Sequence, residues 1–321
     1  MGKIPKRREK KFYYRRASWG SESKMKALAN LIEDAHTNYK TAGERTFKAQ
    51  GGGEFQCARW KKDTNSDILI HLALYYPGQP TSTISKSKDE SSSNVEIHSA
   101  PESKEFLEGD IFALIRNNHI VLCCSAVREK YLDLYLRKIL NKNKIDTSKF
   151  YVDKVAKASK IKLIKDEGVK EIVLKTSLYK ATIDEFEEDR VQNVMGQVRS
   201  QIERIFAKDP ELKEIRENEN INLQISLKYN GKEAMRNKKD PEFGIIGKKR
   251  LVEASQLLIS DTDDDGFVII TGSGNEISSD DIRVAETFYV ATLGKSLDYI
   301  DAWGKLSEYA NQLEASGVFS Q

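Results

Sequence analysis

Apolar residues recur at Met25, Leu28, Ala29, Ile32 and Ala35 behind Ser23. This three-and-four spacing lines one face of a helix, so a helix is expected over 24–41 with Ser23 as its cap. A period of two then takes over. Residues 54–60 and 67–76, the second run alternating from Leu69 through Tyr75, read as strands behind a break at Gly51, Gly52 and Gly53. Residues 111–116 and 119–124 read as a hairpin turning at Asn117-Asn118, because asparagine tolerates the positive φ such turns require. Tyr131, Leu134, Tyr135 and Ile139 put a helix at 127–140; another helix is expected at 150–164, and Gly168 leads into a strand at 169–176. The strongest helical stripe is Val191, Val194, Met195, Val198, Ile202, Ile205 and Phe206, within 184–206, whose early acids suit the positive end of a helix dipole.

Further on, the pattern predicts a strand at 221–229, a basic stretch at 228–250, a hairpin at 256–271 and helices from 279 onward. The last region carries Ile282, Ala285, Phe288, Tyr289 and Leu293, then, after Gly294, Tyr299, Ile300, Trp303, Leu306, Tyr309 and Leu313. Its ring-rich half is expected to pack within the chain in preference to a second copy. Residues 77–105, rich in Ser, Lys and Pro, read as a long surface loop. The elements together predict an α+β fold of mixed or antiparallel sheets with packed helices, in two lobes: 1–183 with a basic arm, and 184–321 with long helices.

Charge changes the picture at the start of the chain. Lys3, Lys6, Arg7, Arg8, Lys10, Lys11, Arg15 and Arg16 crowd around Phe12, Tyr13, Tyr14 and Trp19, with Glu9 the early acid. Such cations displace counterions from a phosphate backbone and such rings stack on bases, so nucleic acid is the natural partner. A solvated tail is the plainer reading of a basic terminus. Yet rings alternate with charges over 11–16, and 10–17 suits a strand with one apolar and one basic face. A second cluster, Lys228, Lys232, Arg236, Lys238, Lys239, Lys248, Lys249 and Arg250, has glycines at 231, 244 and 247 that permit close approach to a phosphate. Its alternative is a solvated loop. Lys154, Lys157, Lys160, Lys162 and Lys165 either extend the positive surface or form a solvated helix face.

The whole chain of 321 residues is nearly balanced, with 52 Lys and Arg against 49 Asp and Glu. The basic segments are therefore local patches, answered by acids at 184–189, 211–219 and 261–265. No apolar run approaches the roughly 20 residues of a spanning helix, and no apolar core follows the first cations as in a signal peptide. Cys57, Cys123 and Cys124 are odd in number and lack metal spacing, which implies thiols in a reducing compartment. These features point to a cytoplasmic protein without direct membrane insertion.

Chemistry is sparse. Asp261, Asp263 and Asp265 with Gly266 open like a calcium loop, but Gly272 stands where a bidentate Glu is needed and the flanks read as strands. A hairpin turn at Asp265-Gly266 is the preferred reading. His36, His71, His98 and His119 share no spacing with a nucleophile or metal ligand, and Gly51-Gly52-Gly53 lacks the strand-to-helix context of a phosphate loop. No catalytic residue, metal or cofactor is expected.

The tract Phe106-Leu107-Glu108-Gly109-Asp110-Ile111 opening a hairpin, a following helix, the strand around Glu167-Gly168-Val169-Lys170, and then a strand, a lysine-rich helix, an acidic hairpin and a C-terminal helix resemble the RexA-like phage-exclusion proteins over the last two thirds of the chain. The serine-rich loop and basic arm depart from that pattern. The resemblance implies a cytoplasmic, DNA-binding homodimer that senses infection in bacterial defence and acts through an effector encoded nearby. It brings no catalytic residues. The expected function is sequence-nonspecific binding of double-stranded DNA through the arm (Lys6, Arg7, Arg8, Lys10, Lys11, Tyr13, Arg15, Arg16) and the 228–250 segment. The alternatives are a metal-dependent nuclease using the acidic turn, and a scaffold that recruits an effector through the aromatic C-terminal helix.

Overall fold

The computed structural model describes residues 6–20, 26–86, 92–177, 222–228, 242–261 and 266–320. In chain order its elements begin with β1 (Arg7–Trp19), α1 (Leu28–Asn38), β2 (Thr46–Lys48), β3 (Glu54–Lys62), β4 (Ile68–Tyr75), β5 (Thr81–Ile84) and β6 (Val95–His98). Next come β7 (Leu107–Arg116), β8 (His119–Ser125), α2 (Lys130–Lys142), β9 (Phe150–Lys154), α3 (Ala158–Glu167), β10 (Val169–Ser177) and β11 (Asn222–Lys228). The remainder is α4 (Glu242–Asp261), β12 (Phe267–Thr271), β13 (Glu276–Ser278), α5 (Ser279–Ile282), β14 (Ala285–Leu293), β15 (Ser296–Leu297) and α6 (Tyr299–Ala315). The fold is α+β, and the strand pairs among the described residues are antiparallel.

Two compact units emerge, Met1–Val155 with Val284–Gln321, and Ala156–Arg283. In the first, one sheet runs β15-β14-β1-β8-β7-β4-β3-β2, with β9 also pairing β1. Its middle strands are apolar on both faces, as in Ile111 to Ile115 and Ile120 to Cys123, because both faces are covered. Leu28, Ile32, Leu136 and Ile139 of α1 and α2 pack on one face with Ile70, Ile111 and Leu122. Trp303, Leu306, Tyr309 and Leu313 of α6 pack on the other with Phe12, Leu69, Phe112 and Val121. Trp303 and Tyr309 of the C-terminal helix thus pack inside their own unit, with Tyr299 partly buried beside them. The hairpin turns at Asn117 with φ 54°.

The second unit is a four-stranded sheet, β11-β10-β12-β13. Ile172, Leu174, Phe267, Ile269 and Ile277 form its core with Ile164 of α3, and Leu251 and Leu258 of α4 pack against them. Gly168 ends α3 at φ 70°, a left-handed conformation that suits glycine at this position.

Several expectations are corrected. The lobes do not divide at 183 and 184: β14 pairs with β1 and α6 packs on β7 and β8, so the C-terminal segment belongs with the N-terminal one. The expected 150–164 helix is a strand followed by a helix, since Phe150 and Val152 alternate with exposed Tyr151 and Asp153 and pair with Trp19 and Ala17 of β1. Residues 256–261 continue α4 and form no hairpin with β12, which pairs with β10 and β13. Residues 285–293 form a strand, where the three-and-four spacing of rings had implied a helix; Phe288 and Val290 are its buried side. The 77–105 loop contains the β5-β6 hairpin. The 184–206 helix, Ser23 and residues 262–265 lie outside the described residues.

Candidate nucleic-acid interface

β1 lies inside the sheet, with β8 on one side and β14 followed by β9 on the other. An alternation of ring and cation on such a strand sends the rings into the layers on each face, and the cations must find partners or reach the sheet margin. Phe12 and Tyr14 are buried under α6, and Tyr13 and Trp19 pack at the α1-α2 layer. Of the rings expected to stack on bases, Phe12 and Tyr14 are core residues, and Tyr13 and Trp19 are partly buried against the core.

The cations separate accordingly. Arg15 is 2 % exposed; its guanidinium donates to Glu129 Oε2 at 2.6 Å and to the Tyr14 carbonyl at 2.8 Å. This removes Arg15 from the phosphate contacts, because a buried, paired guanidinium cannot leave its carboxylate without a penalty of several kcal/mol. Lys10 Nζ lies 3.3 Å from Ser125 Oγ, Lys11 sits over the Tyr13 ring at 5.8 Å, and Arg16 reaches the Val318 carbonyl at 3.3 Å. Arg7 is 3.9 Å from Asp301 and half-exposed, while Lys6 and Arg8 are exposed. Lys6, Arg7 and Arg8, at the strand's beginning, are the part of the expected arm that faces solvent.

In the other unit, α4 turns Leu251, Val252, Ala254, Leu258 and Ile259 toward its sheet. Lys248, Lys249 and Arg250 are exposed on it, with Lys249 4.0 Å from Glu253 one turn on. Lys228, on β11, lies 3.1 Å from Glu171, whose carboxyl is held below its ordinary range by the Ser226 hydroxyl and then by Lys228. Lys232, Arg236, Lys238 and Lys239 lie outside the described residues. Two exposed cations escaped the sequence reading: Arg59 and Lys61 share a face of β3, and their one signal is the alternation in Arg59-Trp60-Lys61.

The remaining reactive groups are absorbed by the core. Burial pushes the Cys57 thiol up to about 11 and Cys123 up to about 12, and raises Cys124 as well, so none is poised as a thiolate. Burial holds the His36 imidazole down at about 3, with Nε2 2.6 Å from the Tyr135 hydroxyl. Asp110 is buried; it accepts from Ser296 Oγ and lies 3.3 Å from His71 Nε2, which places the carboxylate between serine and imidazole. That order differs from a serine-histidine-aspartate triad, in which the imidazole contacts the hydroxyl. Among the described residues no three His, Cys, Asp or Glu side chains are grouped to hold a metal ion, and no helix is long and apolar enough to cross a membrane. Compared with known proteins, the chain matches no family model, no curated protein and no solved structure.

Proposed function

We propose that this protein binds double-stranded DNA through its phosphate backbone, without strong sequence preference, as the sensor of a bacterial anti-phage defence. The observation that carries the reading is the run Lys248, Lys249 and Arg250, exposed on a helix whose Leu251, Val252, Leu258 and Ile259 pack against its sheet. Cations in such a run gain their binding energy by releasing counterions, and each phosphate neutralised adds about 0.9 to the slope of log affinity against log salt. Lys6, Arg7 and Arg8 supply a separate set of contacts. The sensor role, the homodimer and the nearby effector rest on the resemblance to RexA-like proteins.

The test is retention of a labelled duplex by the purified protein across a salt series, with and without Mg²⁺. Lys248→Gln with Lys249→Gln and Arg250→Gln lowers the slope by about 3 if all three meet phosphates. An unchanged slope removes α4 from the interface. Cleavage that appears only with Mg²⁺ replaces the sensor with a nuclease.

A further inference from the structure

Several arginines of the first unit have a carboxylate within reach: Arg15 has Glu129, Arg116 has Asp67 and Glu314, and Arg137 has Asp133. Arg59 and Lys61 are held differently. The Arg59 guanidinium lies 4.6 Å from the centroid of the Tyr299 ring, and Lys61 Nζ lies 5.4 Å from that of Trp303. The two rings meet edge to face at 5.2 Å. The Trp303 indole donates to the Ile70 carbonyl at 3.3 Å, which fixes the platform on β4. Among the described residues neither cation has an ion pair. The nearest acid along this face of β3, Glu54, is at the strand's far end and engaged by the Tyr75 hydroxyl at 3.0 Å.

Two like charges on one strand face, two residues apart, stand about 6.7 Å from each other along the backbone and repel. Ring contacts order them in advance but leave their charge unanswered, so an anion gains attraction with little further loss of side-chain freedom. A polymer that repeats negative charge on the scale of two strand residues answers both at once. A guanidinium stacked on a ring by one face also offers its other face to a base or sugar. Acidic peptides provide the charge without the ring.

We propose that Arg59 and Lys61, supported by Tyr299 and Trp303, form a phosphate-backbone contact through which the first unit grips nucleic acid. This rests on the DNA-binding reading and adds a site to it. Its test uses the full chain, a labelled duplex and a salt series, comparing wild type, Arg59→Gln with Lys61→Gln, and the Lys248-Lys249-Arg250 triple variant. The Arg59-Lys61 variant is expected to bind about ten-fold more weakly at low salt, with a slope smaller by about 2, and Arg59→Lys to keep the slope. A second readout is indole fluorescence in a chain whose Trp19 and Trp60 are replaced by Phe, leaving Trp303 of the three tryptophans; DNA is expected to shift its emission as Lys61 turns to phosphate. An unaltered slope with silent Trp303 emission, while the triple variant loses affinity, overturns this site and leaves DNA binding standing. Failure of wild type to retain DNA at the lowest salt overturns both. Displacement of the duplex by polyglutamate that depends on Arg59 and Lys61 assigns the platform to acidic peptides instead.

Discussion

At the residue scale, Arg15 shows how a fold converts a surface charge into a structural one. Its guanidinium ties β1 to Glu129 at the start of α2, so truncation removes a donor from the Tyr14 carbonyl and leaves Glu129 with Lys154 at 3.7 Å. Arg15→Ala is expected to lower unfolding free energy by about 2–4 kcal/mol in urea titrations while leaving the DNA salt slope unchanged. A phosphate role would show the reverse. His36 carries a pH dependence. Its folded value of about 3 lies below the ordinary 6.5, so between those values the unfolded chain binds the extra proton. Stability is whole above pH 6.5 and falls by up to about 1.4 kcal/mol per unit as the pH drops toward 3. His36→Phe should flatten that slope in urea midpoints compared at neutral and mildly acidic pH; an equal slope in both proteins refutes the assignment.

At the element scale, the paired strands β7 and β8 were legible because each is a continuous apolar run and Asn117-Asn118 separates them. The observed φ of 54° at Asn117 is what a β-branched residue resists, so Asn117→Val is expected to lose about 1–2 kcal/mol, read from the thermal midpoint. β14 was not legible as a strand. Phe288, Tyr289 and Leu293 satisfy a helical spacing as well as a two-residue one, and only pairing with β1 selects between them. The β5-β6 hairpin pairs with no other described strand, and Ile84, Val95 and Ile97 are 67, 64 and 73 % exposed. A two-stranded ribbon contributes little stability by itself. Replacing 81–98 by a short Gly-Ser turn is therefore expected to leave the thermal midpoint within about 2 °C, and a large drop would show that the ribbon is integral to the first unit's stability.

At the scale of the whole molecule, the second unit is an insertion between β9 and β14. Every strand of the first unit's described sheet comes from residues before 156 or after 283. The crossing strands are already adjacent, since the Val284 amide donates to the Val155 carbonyl at 3.1 Å. A chain in which a short Gly-Ser loop replaces 156–283 is expected to fold, with a cooperative melt and the near-ultraviolet signal of packed Trp303. A non-cooperative melt would mean that the first unit needs the second.

By itself the sequence determined the elements whose signal is local: β3, β4, the β7-β8 hairpin, α1, α2 and α6, where one hydrophobic period prevails and turn residues mark the ends. It also determined the α+β class and the presence of cations among rings at the start of the chain. The tertiary structure decided which of those cations are buried and paired and which reach solvent. Burial and partners depend on which strands flank β1, and both flanks come from distant sequence, β8 over a hundred residues away and β14 nearly three hundred. The Arg59-Tyr299 and Lys61-Trp303 contacts likewise join β3 to α6 across the chain. Periodicity records which face of an element is apolar, whereas the identity of what covers that face is a property of long-range pairing.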